Sequence, residues 1–367
     1  MTGHETKRKY DTAASRWAGV GPYYAMFPTA FATEVVKEYT KRGQSVLDPF
    51  AGRGTSLFAA ASENRFGIGV EINPVGWVYG KAKLQTARKA AVENRLRSIG
   101  EKAASYRAEA AKLPEFYEWC FCPRVREYLV AARDLLDWRR SKTDWTTMAL
   151  LMVDLHGKRQ NSLSNQMRQT KAMSPQYAIR WWKERDLRPP ERDPLEFMLK
   201  KVKWRYSKGR ISGSGSRIYL GDSRAQLKTL ASRSNAIGAK LLLTSPPYHR
   251  VTNYFYDQWL RLWLLGGPAE PRSMGNKYKR KFDHRGEYVS LLQTIFTDSK
   301  PLLSRGAIVY VRTDARKFTY DSTLEALEKA FPRKKIQSEK RSQAAVTQTA
   351  LFDSNIKSGA EVDLVMW

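Results

Sequence analysis

The chain has 367 residues, 42% of them hydrophobic, which is enough to bury a sizeable core and excludes an intrinsically disordered protein. Its 64 Lys and Arg against 36 Asp and Glu give a formal net charge of +28, which is typical of proteins that bind nucleic acids. Its first ten residues are polar and basic and it has no long uncharged apolar run, which argues against a signal peptide or membrane span and favours a cytosolic protein.

The first motif in chain order is a short apolar strand followed by a glycine-rich turn and a helix. Strand 45–48 leads into the turn 49–55, and the apolar run 56–61 reads as a helix. Glycines let a backbone approach a ligand closely at a helix N-terminus. The next strand, 66–71, ends in Glu71, at the spacing where an acid binds ribose hydroxyls in a doubly wound sheet.

A long helical segment comes next. Asp48 and Ser245 are 197 residues apart, whereas three consecutive βα units need only about 70 to 90 residues at roughly 30 per unit. We therefore expect an insertion at 81–215, mainly helical because residues such as those of 125–136 show apolar side chains at helical spacing. From 81 to 210 it carries 30 basic and 15 acidic residues, which favours a nucleic-acid recognition region.

A polar stretch within this insertion, residues 161–171, is the candidate for contact with bases. Amide and guanidinium side chains can read base edges through hydrogen bonds. We expect such contacts from Asn165, Gln166 and Arg168. An ordinary polar loop is the alternative interpretation.

The most informative motif follows the apolar residues 241–243: Thr244, Ser245, Pro246, Pro247 and Tyr248. Two successive prolines lock a stiff turn whose carbonyls stay free as acceptors. The Ser245 hydroxyl and the Pro246 carbonyl can grip the hydrogens of an amino group on a base. The Tyr248 ring can stack on that base, worth roughly 1–3 kcal/mol. The alternative is a turn that only closes a core strand.

The remaining elements continue an alternating pattern of helices and strands. We expect a helix at 254–265 that packs on the sheet, with Asn253 and Tyr254 near the base pocket. The basic cluster 272–285 predicts phosphate contacts from Lys277, Lys279, Arg280 and Lys281. Further expected elements are a helix at 286–303, a strand at 307–311, a helix at 322–331 and a strand at 361–367.

Together these motifs resemble those of the DNA amino-methyltransferases, bacterial enzymes that methylate N4 of cytosine or N6 of adenine with S-adenosylmethionine. Residues 21–28 resemble the family's N-terminal cofactor motif, 48–55 its glycine motif and 245–248 its catalytic motif. The resemblance implies an α/β fold, a doubly wound, Rossmann-like, seven-stranded methyltransferase sheet with the helical insertion. The expected domains are 1–80 and 216–367, the two parts of the catalytic domain, and 81–215, the target-recognition domain.

The resemblance also implies roles for individual residues. Phe27 and Asp48 flank the methionine half of the cofactor, Glu71 holds the ribose and Asp222 contacts the adenine amino group. Each also has a structural alternative, as a turn, helix-cap or core residue. The expected cofactor-binding residues are Tyr24, Phe27, Pro28, Asp48, Pro49, Phe50, Ala51, Gly52, Gly54, Thr55, Glu71, Ile72, Asp222 and Thr244. The expected catalytic residues are Ser245, Pro246, Pro247 and Tyr248.

The predicted substrate is a flipped-out cytosine in double-stranded DNA, methylated at N4, because in the resembled family Ser at the first catalytic position accompanies cytosine more often than adenine. Adenine N6 is the alternative. An RNA amino-methyltransferase and a non-catalytic basic DNA-binding protein are further alternatives. The resemblance favours a nucleoid-associated protein of the bacterial cytosol with a cognate restriction endonuclease as a possible partner.

The two cysteines bear on neighbouring chemistries. Cys120 and Cys122 are one residue apart, too close for an ordinary disulfide and too few for a metal site, so we expect no metal. Methylation at the C5 ring carbon of cytosine requires a thiolate, which in that family follows a proline on the catalytic loop. Here Cys122 precedes Pro123, which argues against that chemistry.

Overall fold

The computed structural model describes residues 10–22, 28–211, 213, 215–233, 237–249, 254–271, 284–339 and 361–367. The strands are β1 (Ser45–Asp48), β2 (Phe66–Glu71), β3 (Arg217–Leu220), β4 (Ala239–Thr244), β5 (Leu303–Asp314), β6 (Ile336–Glu339) and β7 (Glu361–Met366). The helices are α1 (Ala13–Ala18), α2 (Thr29–Tyr39), α3 (Thr55–Ser62), α4 (Pro74–Leu84), α5 (Lys89–Ala103), α6 (Arg107–Ala111), α7 (Glu115–Cys120), α8 (Pro123–Leu135), α9 (Lys142–Asp154), α10 (Pro175–Lys183), α11 (Pro194–Tyr206), α12 (Ser223–Ala231), α13 (Tyr254–Asp257), α14 (Trp259–Leu264), α15 (Arg285–Ser299) and α16 (Lys317–Ala330). Short 3₁₀ turns occupy Ala104–Tyr106 and Lys300–Leu302.

The chain forms two compact units. We call the first the sheet unit; it comprises Tyr24–Gly80, Ser212–Asn253 and Arg280–Trp367. The second, the helical unit, comprises Met1–Tyr23, Lys81–Ile211 and Tyr254–Lys279. The helical unit therefore extends beyond the expected insertion by two further stretches of chain.

All seven strands form one sheet in the order β3-β2-β1-β4-β5-β7-β6. Strands β1 to β5 pair in parallel, and β7 inserts antiparallel between β5 and β6. The carboxyl ends of the parallel strands therefore meet at one edge of the sheet, which we call the carboxyl edge. Because β7 is antiparallel, its first residue, Glu361, lies at the same edge, paired with Asp314. The predicted doubly wound, seven-stranded sheet is confirmed.

Helices cover both faces of the sheet. Alternate strand residues point to opposite faces, so each strand contributes side chains to both layers of packing. On one face Leu47 and Leu242 join a cluster with apolar residues of α12, α15 and α16. On the other face Val46 and Leu241 join residues of α2 and α3. All four strand residues are fully buried, and each such burial contributes about 1.5–3 kcal/mol to folding. This explains why the central strands read as continuous apolar runs.

The helical unit is held together by its own polar and aromatic contacts. The Arg95 guanidinium pairs with the Asp144 carboxylate at 2.8 Å and so joins α5 to α9. The Tyr128 hydroxyl donates to the Leu96 carbonyl at 3.0 Å and joins α8 to α5. None of the helices in the described ranges is long and apolar enough to cross a bilayer.

The helix expected at 254–265 forms as two shorter helices, α13 and α14, and belongs to the helical unit. The prediction that it packs on the sheet is wrong. Trp259 contacts the Phe116 ring at a centroid distance of 4.9 Å, and its indole N–H donates to the Met173 carbonyl at 3.0 Å. These partners lie far away in sequence, so the apolar pattern alone could not identify them.

Candidate active site

The carboxyl edge brings the two principal sequence motifs together. Strand β1, which ends at Asp48, pairs with β2 on one side and with β4 on the other. The edge therefore carries the last residues of three strands: Glu71 of β2, Asp48 of β1 and Thr244 of β4. In an open α/β sheet, ligands bind outside the carboxyl ends of the strands, where the direction of winding reverses. The reversal here lies between β1 and β4.

Asp48 links the two motifs directly. Its Oδ1 accepts a hydrogen bond from the Thr244 hydroxyl at 2.6 Å and another from the Phe50 backbone N–H at 3.0 Å. Its Oδ2 accepts from the Ser56 hydroxyl. The side chain is 2% exposed. One buried carboxylate therefore holds the glycine turn, the first turn of α3 and the start of the Ser-Pro-Pro-Tyr loop in a fixed relation.

Burial raises the pKa values of two acids at this edge, Asp48 and Glu71. Desolvation raises the pKa of Asp48 from 3.8 to about 6, against the lowering effect of its hydroxyl donors. Desolvation likewise raises the pKa of Glu71 from 4.5 to about 7, although the backbone N–H groups of Asn73 and Gly52 oppose the shift. Glu71 is thus poised to change its protonation state near neutral pH.

The glycine turn has a backbone that only glycine adopts easily. Gly52 and Gly54 have φ of 53° and 73°, in the left-handed region, and Gly54 is the N-cap of α3. On the neighbouring strand, a Cβ at Gly69 would lie 2.9 Å from the Ala51 Cβ and from the Asp48 carbonyl oxygen. The turn therefore packs closely on β2, and its shape depends on the absence of a side chain at Gly69.

Asp222 follows β3 and lies at the same edge. Its carboxylate caps α12 by accepting from the Arg224 backbone N–H at 3.0 Å, and it also pairs with the Arg224 guanidinium. The helix-cap alternative for this residue is therefore realised. Next to it, the Ser223 hydroxyl donates to the Pro49 carbonyl at 2.6 Å, which fixes this loop against the glycine turn.

Asn73 is a candidate site residue that the sequence reasoning missed. Its backbone N–H donates to Glu71 Oε1 at 2.7 Å, and its Oδ1 accepts from the Val75 N–H at 3.0 Å. The side chain is 1% exposed, and its Nδ2 has no hydrogen-bond partner among the described residues. A buried donor beside Glu71 is the kind of group that a polar ligand satisfies. The sequence signal that could have identified Asn73 is the Asn-Pro pair two residues after Glu71, because it marks the start of α4.

The side chains of Pro28, Pro49, Phe50 and Thr55 are partly or fully buried in the sheet unit, and Ala51 is buried beside the turn. Ile72, by contrast, is 37% exposed, although it is a large apolar residue next to Glu71. An exposed apolar side chain at this edge suits the flat ring of a nucleoside. Tyr24 and Phe27 lie outside the described residues.

The Ser-Pro-Pro-Tyr loop leaves β4 and has no regular secondary structure from Ser245 to Tyr248. The Ser245 hydroxyl donates to the Tyr248 hydroxyl at 3.4 Å, and the Tyr248 hydroxyl donates to Glu361 Oε1 at 3.3 Å. The loop is further held by the Arg316 guanidinium, which donates to the His249 carbonyl at 3.0 Å. Sequence reasoning did not find Glu361 or Arg316, because they lie 113 and 67 positions away from their partners Tyr248 and His249.

The residues expected to contact DNA lie in different environments. Asn165 is 0% exposed, and its Nδ2 donates to the carbonyls of Trp119 and Leu187 at 3.0 and 2.8 Å. These hydrogen bonds stabilise the loop that contains Asn165. Because the residue is buried, we exclude it from the proposed DNA contacts. Gln166 is partly buried and accepts from the Arg159 N–H, whereas Arg168 is exposed. Asn253, Lys277, Lys279, Arg280, Lys281 and the Tyr254 side chain lie outside the described residues.

Within the described ranges, no three His, Cys, Asp or Glu side chains converge as ligands for a metal ion. Cys120 and Cys122 are both buried and unpaired by disulfide. Burial raises the pKa of the Cys120 thiol well above its usual value, which keeps that thiol protonated and unreactive.

Comparison with known proteins finds a family match over the part of the chain that contains the glycine motif. Residues 2–75 match the protein family described as DNA methylase. The type II methyltransferase M.Cfr9I of Citrobacter freundii is 41% identical over 54 residues, which is 15% of this chain and 18% of that protein. The type II methyltransferase M.BglI of Bacillus subtilis is 38% identical over 69 residues, 16% of this chain and 20% of that protein. The resemblance to the DNA amino-methyltransferases is confirmed over this segment.

The chain spans only about a fifth of the length of these relatives. Among solved structures, the rRNA methyltransferase aviRa from Streptomyces viridochromogenes aligns with 97% of this chain and 95% of its own, at 13% identity and a TM-score of 0.36. A TM-score this low does not establish a shared function. Any inference about the substrate must therefore come from the residues at the carboxyl edge.

Proposed function

We propose that this chain, whose residues 2–75 match the DNA methylase family, is an S-adenosylmethionine-dependent methyltransferase that modifies the N4 amino group of cytosine in DNA. The observation that supports this most is the 2.6 Å hydrogen bond between Thr244 and Asp48. This bond joins the glycine turn, the proposed cofactor site, to the Ser-Pro-Pro-Tyr loop within one unit. A methyl donor bound at the turn and a base bound at the loop would therefore lie close together.

The residues at the edge fit the proposed cofactor. Glu71 can accept hydrogen bonds from ribose hydroxyls, and the unsatisfied Asn73 Nδ2 can donate to an oxygen or ring nitrogen of the cofactor. Exposed Ile72 and the capping carboxylate of Asp222 suit the adenine ring and its amino group. The glycine turn allows close approach of the backbone. S-adenosylmethionine supplies a methyl group activated by its positively charged sulfur.

The catalytic loop performs the chain's own part of the chemistry. An amino group on a base is a poor nucleophile because its lone pair is delocalised into the ring. The Ser245 hydroxyl oxygen and the Pro246 carbonyl accept hydrogen bonds from its two N–H groups, which favours electron density on nitrogen and stabilises the positive charge that develops there. The Tyr248 ring provides a stacking surface for the base. Positioning therefore supplies most of the acceleration.

Base flipping is part of the proposal, since a duplex hides its amino groups within the stack and extrusion costs a few kcal/mol. The charge of the chain supports a polyanionic substrate. We assign target recognition to the helical unit, whose segment 81–210 carries twice as many basic as acidic residues, 30 against 15. Because its matched relatives are type II methyltransferases, we place the enzyme in a restriction-modification setting with site-specific methylation.

The experiment is to incubate the protein with methyl-labelled S-adenosylmethionine and either unmodified DNA amplified in vitro or RNA transcribed from the same template. Label in DNA supports the proposal, and label in RNA alone overturns it. Digestion of the DNA to nucleosides and mass analysis then identifies the modified base. N4-methylcytosine is the expected product; N6-methyladenine as the sole product would correct the assigned base. Mapping the modified positions to one short recurring sequence would support site specificity, and scattered positions would contradict it.

A further inference from the structure

A chain of two hydroxyl groups and one carboxyl group connects the Ser-Pro-Pro-Tyr loop to the first residue of β7 at the carboxyl edge. The Ser245 hydroxyl contacts the Tyr248 hydroxyl at 3.4 Å, and the Tyr248 hydroxyl contacts Glu361 Oε1 at 3.3 Å. Glu361 reaches this place because β7 runs antiparallel to β5 and begins at this edge. All three residues belong to the sheet unit.

Glu361 itself is held by a buried cation. The Arg312 guanidinium forms a bidentate pair with Asp363, with both N–O distances 2.7 Å, and its third nitrogen lies 3.7 Å from Glu361 Oε2. Arg312 is buried and lies over the Phe31 ring, with its Cζ 3.5 Å from the ring centroid. The guanidinium charge is therefore shared between the Asp363 carboxylate, with which it forms hydrogen bonds, and the Glu361 carboxylate, which lies within ion-pair range.

We infer that Glu361 is a positioning residue that sets the direction of the hydrogen bonds at the catalytic loop. An ionised carboxylate only accepts hydrogen bonds. The Tyr248 hydroxyl must therefore donate its one hydrogen to Glu361, and only its lone pairs remain for Ser245. Ser245 in turn must donate to Tyr248. Its oxygen is then left as an acceptor, which is what an incoming amino group requires.

This inference rests on the proposed function, because it assigns Ser245 the role of accepting a hydrogen bond from the target amine. Without Glu361, the Ser245 hydroxyl is free to turn its hydrogen toward the amine nitrogen and so to tie up the lone pair that must react. The two distances are long for bonds between hydroxyl and carboxylate oxygens. Catalytic hydrogen bonds are often long in the absence of substrate and tighten when the complex forms.

The test is a double-mutant cycle of Glu361→Gln and Tyr248→Phe. Gln keeps the volume of Glu361 and can still face Arg312 with its amide oxygen, but its NH₂ group can donate to Tyr248 and reverse the chain. We expect Glu361→Gln to lower kcat about tenfold, the size expected for one charge-assisted hydrogen bond. We expect the KM for DNA and the Kd for S-adenosylmethionine to stay within about twofold. In the Tyr248→Phe background the same substitution should have no further effect.

Two controls separate this role from a structural one. Glu325→Gln removes a carboxylate of an exposed ion pair with Lys329 in the same unit and should leave kcat unchanged. Thermal unfolding of each variant shows whether it is folded. A readout without turnover is the NMR signal of the Tyr248 ring carbon that bears the hydroxyl, in protein labelled at that carbon and assigned by Tyr248→Phe. Glu361→Gln should shift this signal, and Glu325→Gln should not.

The outcomes are distinct. Activity of the wild type, a loss on Glu361→Gln that disappears in the Tyr248→Phe background, and the NMR shift together support the inference. Equal losses in both backgrounds, or no NMR shift, overturn it while leaving the proposed function intact. Absence of methyl transfer by the folded wild type to DNA and RNA overturns the proposed function, and with it the role assigned to Ser245.

Discussion

The Thr244 hydroxyl donates a 2.6 Å hydrogen bond to the buried carboxylate of Asp48, across 196 positions of sequence. These residues end two neighbouring parallel strands, one leading into the glycine turn and one into the Ser-Pro-Pro-Tyr loop. The bond makes a single rigid edge from two motifs that lie far apart in the chain. Both the proposed cofactor site and the proposed acceptor site depend on that edge.

Thr244→Val tests the importance of this bond for stability. Val preserves the shape of the side chain but removes the donor from a buried carboxylate, which should lower the free energy of unfolding by about 1.5–3 kcal/mol. Chemical denaturation at pH 7.5 measures it, where Asp48, with a pKa of about 6, is ionised. Thr313→Val is the matched control. It removes a bond between two neutral hydroxyls, Thr313 and Thr323, and should cost only about 0.5–1.5 kcal/mol. Equal losses would contradict the account.

Cofactor binding should release a proton near neutral pH. The pKa of Glu71 is raised to about 7, so at pH 7 about half of the free protein carries that proton. Ribose hydroxyls that donate to Glu71 favour its ionised form and lower its pKa, so the proton leaves. Affinity should therefore rise as pH increases toward 7 and level off above it.

Isothermal titration calorimetry at pH 7 in buffers of different ionisation enthalpy measures this release as about half a proton at most. Glu71→Gln has no proton to lose there, so its binding enthalpy should not depend on the buffer. Buffer-independent binding by the wild type would show that Glu71 does not contact the ribose.

Much of the sheet unit can be predicted from local signals. Strands β1 and β4 are short apolar runs with a turn signal directly after them, and the glycines after Asp48 predict a turn whose backbone can approach a ligand closely. The order of the motifs then places both at the same edge, because parallel strands share a direction. The expected strand at 307–311 forms as part of β5, and the expected closing strand at 361–367 forms as β7, which ends at Met366.

The remaining features depend on contacts between residues far apart in sequence. Strand β6 was not predicted because four residues, Ile336 to Glu339, carry little pattern and are held by pairing with β7. Asn165 looked like a base-reading residue because its polarity is visible in the sequence, whereas the carbonyls of Trp119 and Leu187 that bury it are not. Glu361 lies 113 positions from Tyr248, so no spacing rule connects them.

The close packing of the glycine turn on β2 predicts a specific weakness at Gly69. Its substitution by Ala would place a Cβ 2.9 Å from the Ala51 Cβ, the Leu57 Cδ1 and the Asp48 carbonyl oxygen. We expect a loss of about 1–3 kcal/mol of stability and at least about a tenfold loss of cofactor affinity, because the turn must shift. Denaturation and calorimetry measure the two effects.

Gly286→Ala is the control for that substitution. Gly286 lies in α15, and within 4 Å of its added Cβ there is no atom from the described part of the chain. Ala is the better helix former by up to about 1 kcal/mol, so this variant should be as stable as the wild type or slightly more so, with unchanged cofactor affinity. If Gly69→Ala behaved in the same way, close packing would not determine the shape of the turn.

The polar segment of the helical unit should separate into structural and DNA-contacting residues. Asn165→Ala leaves two buried carbonyls without their donor, and should cost about 1–3 kcal/mol of stability for each while leaving the DNA affinity of the folded protein unchanged. Arg168 is exposed. Its replacement by Ala should weaken DNA binding and reduce the slope of log K against log salt by about 1 if it contacts a phosphate.

Fluorescence anisotropy with labelled duplex DNA over a salt series measures the binding effects. An unchanged affinity for Arg168→Ala would remove this residue from the proposed interface. A weaker affinity for folded Asn165→Ala would return Asn165 to it.

The most direct test of the whole account is a crystal structure of the protein with S-adenosylhomocysteine, the demethylated product of the proposed cofactor. The account predicts the ligand at the carboxyl edge, with its ribose hydroxyls on Glu71 and its sulfur facing the Ser245 loop. A ligand bound elsewhere, or one whose sulfur faces away from Ser245, would contradict the central claim that Asp48 and Thr244 join the cofactor site to the acceptor site.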